Sequence, residues 1–132
     1  IKIMSQPRPI TSPRAPAAVG PYVQAVVHDG VLYCSGSLPL DADTSTLDNA
    51  DPAAEVTRSL SNLEAVCQEA GTSLDRALRM GIFTTRIEAF AEINGAYAQF
   101  FAGKPVPART TIGVAALPLG AVVEIDAIVA LA

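Results

Sequence analysis

Histidine is nearly absent from this chain: His28 is the one copy in 132 residues. Ser-His-Asp and Cys-His nucleophilic systems would have to use it. Its place in a His28-Asp29-Gly30 turn reads instead as a solvated turn residue. Cysteine is scarce too, with Cys34 and Cys67 only. No Cys, His or carboxylate spacing matches a zinc or iron site, and no glycine-rich loop suits a phosphate or dinucleotide. Chemistry is therefore expected to run with no metal, no organic cofactor and no histidine base. The nine Lys and Arg residues form no cluster, so the footprint of a nucleic-acid binder is missing. No apolar run approaches the ~18–20 residues that cross a bilayer, and no secretory signal pattern is seen. Cys34 in a strand-like run and Cys67 on a helix face read as buried free thiols. A disulfide is not expected, and a reducing, cytoplasmic setting is.

What is present is apolar and acidic. Half the residues are hydrophobic, with net charge −4, and mean hydropathy is +0.34. A small domain has much surface for its volume, so the surplus apolar area is expected to be covered by a subunit interface. Removing such surface from water favours association by roughly 25 cal/mol per Å² before the costs of binding.

Residues 1–132 read as one domain. Met4 is expected to be the native start, with residues 1–3 a remnant ahead of it. Pro7, Pro9, Pro13, Pro16 and Pro21 forbid a helix, so residues 1–15 and onward to 21 read as an extended arm. Tyr22–Val27 and Val31–Cys34 are strand-like around an Asp-Gly turn. Ser35-Gly36-Ser37 then suggests a bulge, or backbone meeting a ligand. Residues 41–51 are polar and read as a loop. Asp51-Pro52 opens a helix with a capping carboxylate and proline at its first position. Its apolar stripe is Val56, Leu60, Leu63, Val66 and Cys67, and Gly71 ends it. A strand is expected within residues 77–86. A second helix carries Phe90, Ile93, Tyr97, Phe100 and Phe101 on one face, all read as core, and closes at Gly103. Strands at Arg109–Val114 and Val122–Leu131 flank a turn at residues 117–120. The order β-β-α-β-α-β-β gives an α+β two-layer domain, with a mixed sheet, both helices on one face and the other face open.

Pro107-Ala108-Arg109-Thr110-Thr111 is the segment most suggestive of chemistry. A guanidinium held at a fixed angle offers a planar fork that matches a carboxylate bidentately; a solvated or salt-bridged arginine is the plainer reading. In Val122-Val123-Glu124-Ile125-Asp126-Ala127, alternation puts Glu124 and Asp126 on one face. Such acids can mark an exposed edge, or a carboxylate that holds and activates a water.

Several segments, in order, resemble the reactive-intermediate deaminase (Rid; YjgF/RidA/L-PSP) family. They are Gly20-Pro21-Tyr22-Val23-Gln24-Ala25, Ser35-Gly36, Leu60-Ser61-Asn62-Leu63, Asn94-Gly95-Ala96-Tyr97, Pro107-Ala108-Arg109-Thr110, Leu117-Pro118 and Val123-Glu124-Ile125-Asp126-Ala127. The resemblance runs from about residue 16 to 131 and implies a chorismate-mutase-like α+β fold. It also implies a homotrimer with a central barrel of three sheets and active sites between subunits. The implied reaction is hydrolytic deamination of 2-imino and enamine acids, 2-iminobutanoate and 2-iminopropanoate/2-aminoacrylate, to 2-keto acids. By position, Arg109 would clamp the substrate carboxylate and Glu124 would position water. Tyr22, Ser35, Gly36 and Asn94 match other cleft positions, and backbone groups near Thr111 would complete the carboxylate cradle, with a part for its hydroxyl left open. Thr111 stands where many members carry cysteine, and Ser37 where many carry glutamine, which leaves the preferred substrate open. Two other readings stay open: a hydrolase of another imine, enamine or carbamate-like bond, and a non-catalytic 2-keto-acid-binding regulator. Ribonuclease activity has also been attached to the family, and the acidic balance of this chain argues against it.

Overall fold

The structure is a computed structural model describing residues 6–47 and 51–132; Met4, expected as the start, lies outside them. Six strands form one sheet: β1 (Arg8–Ile10), β2 (Ala25–His28), β3 (Val31–Ser37), β4 (Ala77–Thr84), β5 (Ala108–Gly113) and β6 (Val123–Ala130). Two helices, α1 (Pro52–Glu69) and α2 (Phe90–Phe100), accompany it. The strand order is β1-β2-β3-β6-β4-β5. All pairs are antiparallel except the parallel β4–β5 pair.

Local signals explain most boundaries. The Asp51 side chain accepts from the Ala54 N–H at 2.7 Å, capping α1, and Pro52 fills its first position. Gly71, with φ +79°, supplies the left-handed residue after its end. Val56, Leu60, Leu63, Val66 and Cys67 are all buried. Each large apolar side chain so buried favours the fold by about 1.5–3 kcal/mol. Asp29 and Gly30 both take positive φ in the β2–β3 turn.

The segment read as a plain arm contains β1, which pairs Arg8 with Val27 and Ile10 with Ala25. Pro9 is tolerated because β1 is an edge strand. Strand β2 begins only at Ala25, so Tyr22 and Val23 precede it as exposed loop. The cause is Gln24. Its side chain is buried and accepts from the Ser12 N–H at 2.6 Å. It donates to the Ser12, Ala15 and Pro16 carbonyls. These bonds draw the arm across the molecule. His28 ends β2 beside Asp29, 3.5 Å away, rather than lying in the turn. Strand β3 continues to Ser37 through a register shift between Cys34 and Ser37, the bulge expected at Ser35-Gly36. The loop after Leu40 is closed by one isolated bridge, Leu40 to Leu47.

Alternation fixes the faces. Val123, Ile125, Ala127 and Val129 of β6 are buried in the helix-side core. Glu124, Asp126, Ile128 and Ala130 point to the opposite face and are half-buried. Tyr33, Phe83 and Ile112 share that second face, with Tyr33 and Ile112 exposed. The buried Glu55 of α1 accepts from the Val122 and Val123 N–H groups, anchoring the start of β6 just before Glu124. Cys67 is buried, whereas Cys34 is half-exposed at the β3 bulge, not buried as expected. Their hydrogen bond, followed by burial, pushes the Cys67 thiol far above its ordinary pKa and denies it thiolate character. No helix among the described residues is long and apolar enough to cross a membrane.

Candidate active site

The candidate residues fall into two groups on opposite faces of the sheet. The first surrounds Glu124. A cleft of about 360 Å³ is lined by Val19, Tyr22, Ser35, Gly36, Leu38, Pro118 and Glu124. The Tyr22 hydroxyl accepts from the Val19 N–H at 3.1 Å. The Ser35 hydroxyl donates to the Val23 carbonyl at 2.6 Å. The first bond closes the loop before β2 on itself, and the second ties that loop to the β3 bulge. Gly36 is required by close approach: a Cβ there would meet the Glu124 carboxyl carbon at 2.9 Å. Burial raises the Glu124 pKa above its ordinary value, and the neighbouring Asp126 charge adds to the rise. A carboxylate with a raised pKa is a better base than an ordinary one.

The second group surrounds Arg109. It pairs with Met80 of the core-facing row and so projects into the helix layer. Its Nη2 donates to Asn94 Oδ1 at 2.7 Å. Its guanidinium carbon lies 4.7 Å from the Tyr97 ring centroid and 5.8 Å from that of Phe90. One hydrogen bond and two rings therefore fix the guanidinium plane. Among the described residues no carboxylate pairs with Arg109. Thr111 follows two residues along the same face, and its hydroxyl is buried without a hydrogen-bond partner. The Tyr97 hydroxyl is likewise buried and unpartnered. Burial raises the Tyr97 pKa, opposed by the Arg109 charge.

The structure thus joins Tyr22, Ser35, Gly36 and Glu124, and separately joins Asn94, Arg109 and Thr111. It does not bring the two sets together. Glu124 registers with Phe83, and Phe83 with Ile112, on the face that α2 does not cover. Two strand spacings, roughly 10 Å, and the sheet itself separate the groups. Sequence reasoning took Phe90 and Tyr97 as core, which holds for the buried Tyr97 and not for Phe90, and it missed that both lie beside Arg109. Phe90 is 41% exposed, and both rings attend the guanidinium. It also missed Val19, Leu38 and Pro118. Among the described residues no group of three or more His, Cys, Asp or Glu gathers as a metal site.

Residues 12–131 match the protein family described as endoribonuclease L-PSP. The chain belongs to the RidA/YjgF/L-PSP family. It is 41% identical over 123 residues to the RutC family protein y4sK of Sinorhizobium fredii, covering 93% of this chain and 97% of that one. It is 36% identical over 126 residues to a 2-iminobutanoate/2-iminopropanoate deaminase of Dermatophagoides farinae, covering 96% and 98%. Among solved structures, the Rid-family protein YyfA of Yersinia pestis superposes with a TM-score of 0.92 at 40% identity, covering 96% of this chain and all of that one. The Escherichia coli protein TdcF, solved with bound serine, gives 0.90 at 35%, covering 95% and 99%. The Rid-family fold therefore carries both residue groups.

Proposed function

We propose that this chain is an enamine/imine deaminase. It would hydrolyse 2-imino acids such as 2-iminobutanoate and 2-iminopropanoate, the latter also as its enamine tautomer 2-aminoacrylate, to 2-keto acids. The observation that carries the proposal is the pair of complementary half-sites, a held and unneutralised guanidinium on one sheet face and a carboxylate of raised pKa on the other. The imine deaminase among the relatives and the serine-bound structural neighbour support it. The half-sites can act on one molecule only if one subunit supplies Arg109, Asn94 and Thr111 and another supplies Glu124, Tyr22, Ser35 and Gly36. The second sheet face, with Tyr33, Phe83 and Ile112 upon it, gives that association an apolar basis. A closed homotrimer is the assembly we propose.

In this reading Arg109 pairs with the substrate carboxylate and Thr111 lends its unpartnered hydroxyl. The protonated imine carbon lies beside Glu124, which takes a proton from an attacking water. Glu124 returns that proton to the adduct's amine nitrogen. The C–N bond breaks as the hydroxyl collapses to the carbonyl, and the proton the hydroxyl releases leaves with the nitrogen as NH4+ in the balance. The balance is R–C(=NH2+)–COO− plus water giving R–CO–COO− plus NH4+. The protonated imine is already electrophilic, so orientation and charge pairing supply most of the acceleration. The test is keto-acid release from 2-iminobutanoate and 2-aminoacrylate made in situ by a dehydratase, with wild type and Arg109→Ala. Acceleration by wild type that the variant loses is expected. No acceleration by folded wild type would overturn the proposal and favour keto-acid sensing.

A further inference from the structure

Beside the Glu124 cleft lies a second, smaller cavity of about 50 Å³, partly open and lined by the N-terminal arm, β3 and α1. Val19, Tyr22, Ser35, Gly36 and Leu38 line both spaces, so the two adjoin. The deeper wall is apolar, formed by the buried Leu38, Leu40, Leu63 and Val66, with the exposed Ala17 and Ala18 of the arm at its rim. Four of the side chains around it already give their donors to main-chain carbonyls; the Tyr22 hydroxyl, at the side shared with the cleft, is the exception. Gln24 donates to Ser12, Ala15 and Pro16, and Ser35 to Val23. Ser37 donates to Ser59, and Asn62 to Leu38 and Leu40. A polar guest would lose its hydration and gain no donor from these groups, whereas an apolar guest loses nothing. At about 10–15 Å³ for each water-sized body, the cavity holds about three to five heavy atoms.

We infer that this cavity receives the substrate's side chain and selects 2-imino acids bearing an aliphatic chain of about three to five carbons. The inference rests on the imino-acid reading above. With the reacting carbon beside Glu124, the side chain begins at the Gly36 wall, where cleft and cavity meet. Gly36 keeps that passage open because it adds no side chain to the shared wall. Ser37, tied back to Ser59, leaves the cavity unfilled where a longer residue would enter it.

Each methylene buried from water strengthens binding about four-fold. The leucine-derived imine should therefore exceed the alanine-derived one by at least about ten-fold in kcat/KM. An amino-acid oxidase can generate the imines of alanine, 2-aminobutyrate, norvaline, leucine and phenylalanine in situ. Enzymatic hydrolysis is then measured against semicarbazide trapping. We expect kcat/KM to climb to norvaline and leucine and to drop for the benzyl side chain of phenylalanine. Ala18→Leu, which fills the cavity from the exposed arm, should cut the leucine-to-alanine ratio about ten-fold. Val66→Ala, which enlarges it, should move the optimum to a longer chain, a gain that misfolding does not produce. A flat profile that neither variant alters, with the alanine imine still hydrolysed, would overturn the side-chain pocket and leave the deaminase reading standing. No hydrolysis of any imine would overturn both.

Discussion

Asn94→Ala isolates the geometry of the carboxylate clamp. Asn94 Oδ1 accepts from Arg109 Nη2 at 2.7 Å, a charge-assisted bond in a half-buried setting. Hydrogen bonds to charged groups contribute about 1.5–3 kcal/mol, and every 1.4 kcal/mol is about ten-fold in an equilibrium or rate. If that bond sets the guanidinium plane, its loss should lower kcat/KM for imino acids about ten- to hundred-fold. The Tyr97 and Phe90 rings still flank the guanidinium, so the effect belongs toward the lower end. Stability should change little, because Asn94 is only half-buried on α2. Asn94→Asp should cost more than alanine does, since its carboxylate would occupy the guanidinium in place of substrate. The assay is coupled keto-acid release, with thermal melting as the control for folding. Activity of Asn94→Ala within two-fold of wild type would refute the idea that this bond orients the clamp.

Glu124→Gln should change stability in a pH-dependent way. The Glu124 pKa is raised above 4.5 by burial and by Asp126. The unfolded chain releases that proton first, so the folded state loses stability as pH climbs from the ordinary carboxylate pKa through the raised one. The variant should therefore melt higher than wild type at pH 7, with the gap closing below pH 4.5; equal melting at both pH values would contradict this sign. Phe101→Ala should cost about 3–5 kcal/mol. Phe101 is 2% exposed and its ring lies 4.8 Å from Tyr97 and 5.3 Å from Phe100. A denaturant titration checks the value, and a loss below about 1 kcal/mol would mean the core there repacks.

Helix α1 was legible because its signals are local: Asp51 caps it, Pro52 starts it, Gly71 ends it, and its stripe has helical spacing. The opposed faces of β6 were legible from alternation alone. Strand β1 was not, because a three-residue strand containing Pro9 exists only through its pairing with β2. Nor was the start of β2, which depends on the remote contacts of Gln24. The site residues that sequence motifs carry, from Tyr22 to Glu124, do lie in two clusters. The guanidinium contacts of Phe90 and Tyr97 escaped because an amphipathic stripe does not show which of its rings also lie beside a guanidinium. The separation of Arg109 from Glu124 was also hidden. It depends on which neighbour β5 registers against, and Arg109 aligns with buried Met80.

The central claim is that each working site takes Arg109 from one subunit and Glu124 from another. Mixing the Arg109→Ala and Glu124→Gln proteins after co-refolding tests it directly. Each variant alone should be nearly inactive. A random mixture in equal amounts should recover about a quarter of wild-type activity, because that share of intersubunit sites regains both residues. Native mass spectrometry would verify that mixed oligomers form. Mixed oligomers no more active than the separate variants would contradict the account.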